Sequence, residues 1–163
     1  MRGICRSGSG VALGLVLVLA LTAFAAAAPG PKGPKGLKPA KVKIHERGDL
    51  FCPSAALVYG SVTVQPRCYV LAVTREPGGT FLAFLSPEAK IPPGQLVRMN
   101  TPAGAKLRGR IFYLVPIQPS VVIVPVNTVM LIGIRVEDYG SRMSLTVIGT
   151  SAPNLTVIFN VRL

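Results

Sequence analysis

Tryptophan is absent from the 163 residues, histidine occurs once, and six acidic residues face eighteen lysines and arginines. Each shortage removes a class of chemistry. His45 is the sole imidazole, so any Ser-His-Asp or Cys-His arrangement must route its proton through it. It sits between Ile44 and Glu46, beside a lysine-rich segment, and is expected on the solvent face of a first strand. Copper centres of the cupredoxin kind need more imidazole than this; Met99, Met130 and Met143 read as core filler instead. The carboxylates Glu46, Asp49, Glu76, Glu88, Glu137 and Asp138 fall mostly in turns or strand ends, a poor start for the facing pair that glycoside hydrolysis requires. No glycine-rich loop follows a strand and opens a helix, which leaves nucleotide binding without its motif. No catalytic constellation, metal or cofactor is expected.

The aromatic shortage excludes more. Without Trp, and with no aromatic girdles, an outer-membrane barrel has little support. Only Phe112 and Tyr113 lie near a basic cluster, too few for a stacking platform, so nucleic acid is a poor match.

What the chain does have begins with an address. Arg2 and Arg6 precede an apolar run from Val11 to Phe24, and Ala23 and Ala25 to Ala28 offer small-x-small cleavage frames. Residues 1–27 therefore read as a secretory signal peptide, which directs the chain to a secreted, periplasmic or cell-envelope location. Retention as a membrane anchor is the competing reading, since the run nearly reaches spanning length. The alanines that end it are weakly apolar and favour cleavage, after which no transmembrane span is expected. Setting aside Arg2 and Arg6 leaves sixteen basic residues against six acidic ones, a net charge of +10.

Half of that charge falls in one short stretch. Residues 28–43 form a Pro/Gly/Lys-rich linker carrying Lys32, Lys35, Lys38, Lys41 and Lys43 and no acid. Three consecutive Gly-X-Y triplets start at Gly30, Gly33 and Gly36, too few to form a collagen trimer, so the segment is expected to be a disordered, extended arm. Its lysines are candidates for contact with polyanions, which outside the cell means envelope polymers or anionic lipid headgroups.

Cys5 belongs to the signal, leaving Cys52 and Cys68 with fifteen residues between them. An even pair in an oxidising compartment points to a disulfide.

From Lys41 onward the apolar pattern has period two, the signature of half-buried strands. Leu155, Val157, Phe159, Val161 and Leu163 alternate with Thr156, Ile158, Asn160 and Arg162; Met143, Leu145 and Val147 repeat the pattern. With turns at 138–140 and 151–154, the last 35 residues predict a three-stranded meander. Further strands are expected near 41–47, 56–64, 67–74, 80–85, 95–99, 107–115 and 120–126, with Glu76 to Gly79 as a hairpin loop. Ser86-Pro87-Glu88 has the composition of a helix start, cut off by Pro92 and Pro93. The fold class is all-β: one β-sandwich or partly closed barrel of about nine or ten short strands over residues 44–163.

Two surface features carry functional hypotheses. Lys106, Arg108 and Arg110 would share one face of a strand as a second basic patch. The apolar run at 120–136, interrupted by Pro125, Asn127 and Gly133, would either be core or, at a sheet edge, pair with other copies. The sequence thus predicts a non-enzymatic, envelope-associated binding or structural module. The alternatives are a self-assembling subunit joined through 120–136 and, third, a small secreted hydrolase.

Overall fold

The computed structural model describes residues 36–92, 95–117, 124–148 and 155–163. The expected signal at 1–27, Lys32, Lys35, residues 120–123 and the turn at 151–154 lie outside the described residues.

In chain order the strands are β1 (Lys41–His45), β2 (Leu50–Phe51), β3 (Ala56–Tyr59), β4 (Val62–Val64), β5 (Tyr69–Glu76) and β6 (Gly79–Leu85). They are followed by β7 (Val97–Arg98), the helix α1 (Pro102–Arg108), β8 (Ile111–Pro116), β9 (Thr128–Leu131), β10 (Gly133–Asp138), β11 (Arg142–Ile148) and β12 (Thr156–Arg162). The fold is all-β, as expected, in two antiparallel sheets. The first runs β1-β10-β11-β12-β3-β4 and the second β7-β9-β5-β6-β8, with β2 also paired to β5. β10, β11 and β12 are the meander read from the alternation, and Glu76 pairs with Gly79 across the expected hairpin.

The two sheets differ in what covers them. Leu145, Val147, Val157 and Phe159 of the first sheet bury into a core shared with Tyr69, Leu71, Val73, Leu82 and Phe84 of the second. On its other face the first sheet shows polar residues, and Thr146 and Thr156 pair their hydroxyls there at 3.0 Å. β5 and β6 are apolar on both faces, the pattern of a covered sheet. Their second face, Val70, Ala72, Ala83 and Leu85, packs with Ile91, Met99 and Leu107 in a separate cluster under α1.

That helix was not expected. The sequence pattern predicts a strand over 107–110, yet α1 ends at Arg108 and β8 begins at Ile111. Thr101 is the N-cap, its hydroxyl accepting from Gly104 N at 3.2 Å, and Pro102 occupies the first turn. Gly104 lets the helix press against β7: a Cβ there would strike the Arg98 carbonyl and lie 2.5 Å from Met99 Cα. The same Ser/Thr-Pro chemistry at Ser86 gives no helix. Ser86 Oγ accepts from Glu88 N at 3.3 Å and its carbonyl from Ala89 N at 2.9 Å, closing a single turn. The difference lies downstream, where Ala103 to Leu107 continues a helix and Ile91-Pro92 stops one.

Three boundaries also moved. Lys41 and Lys43, grouped with the linker, are in β1, so the folded part starts before residue 44. The strand expected over 56–64 is a hairpin that turns at 60–61. Val124 to Asn127, expected as strand and turn, is all turn, with Asn127 at φ 59° and Thr128 Oγ1 donating to the Pro125 carbonyl. The apolar run then breaks again at Ile132: β9 belongs to the second sheet and β10 to the first. One residue carries the chain across. Gly133 makes room for it, since a Cβ there would sit 3.1 Å from Ile148 Cγ1 and 3.4 Å from the His45 carbonyl.

Candidate functional site

β1 is the edge strand of the first sheet, and its period of two sends Lys41, Lys43 and His45 to one side. Facing them is the segment that leaves β2, Cys52-Pro53-Ser54, tied down by the disulfide from Cys52 to Cys68. Phe51, Val136 and Met143 supply apolar lining, and Asp138, opposite Lys41 in the β1–β10 register, completes the walls. The resulting cleft has a volume of about 260 Å³.

Its lining carries two ammonium groups, Lys41 and Lys43, against one carboxylate, Asp138. Among the described residues no carboxylate reaches ion-pair distance of Lys41 or Lys43, and both are exposed. The two ammonium groups outnumber the Asp138 carboxylate and, with the Ser54 hydroxyl across the cleft, leave it with a net positive lining that suits an anionic ligand.

His45 corrects an expectation. It is buried at 7 % exposure, while its neighbour Ile44 is 59 % exposed, so the strand is turned the opposite way from the surface reading. Its ring meets Phe51 edge-on with centroids 5.9 Å apart. Burial lowers its pKa below the ordinary 6.5, the Lys43 charge lowers it further, and Asp49 and the Leu50 backbone oppose them. The unfolded chain therefore takes up the proton first as pH falls. Stability from a neutral His45 is complete above about pH 6.5 and declines below it. Denaturation midpoints measured from pH 7.5 to 5 should fall more steeply for the parent than for His45→Phe; parallel curves would contradict the burial.

The second basic patch is not assembled. Arg108, on α1, binds both Glu76 carboxylate oxygens at 3.2 Å, and Arg110 pairs with Glu88 at 2.7 Å. Lys106 and Arg110 line one groove beside α1 while Arg108 lines another. Helical geometry separates what strand geometry would have aligned.

One arginine escaped sequence reasoning. Arg67 lies 4.4 Å above the Phe112 ring and donates to the Tyr69 hydroxyl at 3.2 Å. Tyr69 in turn donates to the Gln65 carbonyl at 2.8 Å, bracing the corner where the chain enters β5. The spacing Arg67 to Tyr69 put both on one side of an extended segment, the only signal available beforehand.

No known family, curated protein or solved structure matches the chain. Among the described residues no group of three or more His, Cys, Asp or Glu is placed to hold a metal ion, and no helix is long and apolar enough to cross a membrane.

Proposed function

We propose that the protein is an exported, non-enzymatic β-sandwich that binds anionic polymers of the cell envelope through the lysines entering its first strand. One observation carries this reading: Lys41 and Lys43 stand on one side of β1, along the wall of a cleft, with no carboxylate among the described residues at ion-pair distance. Alternate residues of a strand are roughly 7 Å apart, so two fixed ammonium groups meet successive charges of an extended polymer. Lys38 is exposed just before the strand and adds a third ammonium group nearby in sequence, and Lys32 and Lys35 precede it. Binding of this kind gains from counterion release and weakens steeply with salt. The +10 charge of the chain without residues 1–27 adds long-range attraction.

Substitution tests the reading better than deletion, because removing residues 29–43 would take most of β1 with it. The chain starting at residue 28 should be retained on immobilised polyphosphate, and the triple change Lys38→Gln, Lys41→Gln, Lys43→Gln should elute at lower salt. The slope of log affinity against log salt should flatten by about two to three, one for each lost contact, with the thermal midpoint almost unchanged. Equal retention of both proteins across salt would leave these lysines as a solvated rail.

A further inference from the structure

The free edge of β1 has a different character, although it shares Lys41 and Lys43 with the cleft. Val42 is 49 % and Ile44 59 % exposed, and among the described residues no strand lies beyond them. The direction of the backbone groups follows from the ladder. Tyr139 N donates to Arg142 O, so the odd-numbered residues of β10 turn their N–H and C=O groups to β11. The even-numbered ones turn to β1, where Ile134, Val136 and Asp138 stand opposite His45, Lys43 and Lys41. Alternation then aims the N–H and C=O groups of Val42 and Ile44 at the free edge.

Other sheet edges are less open. β4 has three residues and β7 two, while β8 ends in the exposed Pro116. β1 offers five residues without proline, alternating lysine on one face with apolar side chains on the other. A second copy is a poor occupant, because antiparallel pairing of β1 with itself brings lysines opposite lysines on one face. A strand with acids in those places reverses the sign of that interaction. We propose that β1 accepts an extended acidic peptide segment, alternating Glu or Asp with apolar residues, as an added strand of the first sheet. The backbone supplies affinity, Lys41 and Lys43 select the acids, and Val42 and Ile44 cover the apolar positions.

The probe is a fluorescein-labelled peptide, Glu-Val-Glu-Val-Glu-Val, followed by anisotropy with the chain starting at residue 28. Val42→Pro deletes an outward N–H while leaving every lysine, and should weaken binding by up to roughly tenfold, the effect of losing one backbone hydrogen bond. Lys43→Glu should weaken it comparably. Should Val42→Pro fail to fold, the same peptide N-methylated at alternate residues tests the edge from the ligand side and should not bind. Equal binding of the N-methylated peptide, or no binding of the unmodified one, overturns the proposal. A parent dimer that Val42→Pro dissolves also overturns it, in favour of a second copy on this edge. Retention on polyphosphate is expected to survive Val42→Pro, so loss of strand addition and loss of polymer binding are read separately.

Discussion

Replacing Ile132 with Lys should abolish the cooperative unfolding transition in urea, leaving a chain without a folded baseline. Ile132 is 3 % exposed, lies in the core shared by the two sheets, and is the one residue between β9 and β10. Its backbone crosses from one sheet to the other there, so the side chain has no route along a strand surface to water. An unpaired ammonium in that position costs several kcal/mol, a large share of the stability of a domain of this size. Ile44→Lys, on the open face of β1, is the matched control and should shift stability by no more than about 0.5 kcal/mol. The outcome also decides the assembly hypothesis drawn from residues 120–136. β10 lies between β1 and β11, and β9 between β5 and β7, so these strands have neighbours on both sides. A folded, monomeric Ile132→Lys protein from an oligomeric parent would contradict the core assignment.

The second large effect belongs to the disulfide. Changing both Cys52 and Cys68 to Ala should lower unfolding free energy by about 2 to 4 kcal/mol in urea titrations, as expected for a loop of this length. The bond closes a loop that contains the whole β3–β4 hairpin, and it adjoins the two-residue pairing of Leu50 with Val70 and Phe51 with Tyr69. So short a pairing holds little by itself. Phe51 and the Cys52-Pro53-Ser54 wall should loosen with it, and the cleft beside β1 should lose its shape. A stability within 0.5 kcal/mol of the parent, with two free thiols in natively isolated protein, would count against the bond.

Sequence pattern revealed most where one face of a strand is wet. β11 and β12 alternate in sequence because the outer face of the first sheet is polar, even where Ser144 is buried on it, and the hairpin at Glu76 to Gly79 carries its own turn chemistry. Legibility fails where burial is two-sided or tertiary. α1 is only seven residues long, and its apolar anchor Leu107 looked like the start of the strand that follows. His45 shares a face with two exposed lysines, and the neighbours that cover it come from elsewhere in the chain, Phe51 of β2 edge-on and Ile134 of β10 opposite it. Nothing local marks Ile132 as a crossing point, because a residue that changes sheets and one that stays in a strand can both be apolar. The site is half legible: charge marks Lys41 and Lys43, but the cleft depends on where residues 50–54 return, and the strand pattern that predicts Arg108 and Arg110 on one face misses that Arg108 ends α1 and Arg110 lies in the turn after it.

The order of strands also governs when the molecule can come together. In the second sheet β5 and β6 form a hairpin, while β8 returns to β6 with Val115 opposite Leu82, and β9 returns to β5 with Leu131 opposite Ala72. The first sheet interleaves the two halves of the chain: β3 pairs with β12, Val58 opposite Asn160, and β1 with β10, Lys41 opposite Asp138. Until residues 156–162 arrive, the β3–β4 hairpin is a two-stranded ribbon, a unit of marginal stability in water. Contacts of such separation carry a large loop-closure entropy and slow the search for the native pairing. A chain emerging from the ribosome therefore cannot seal the core between its sheets until residues 156–162 have been made.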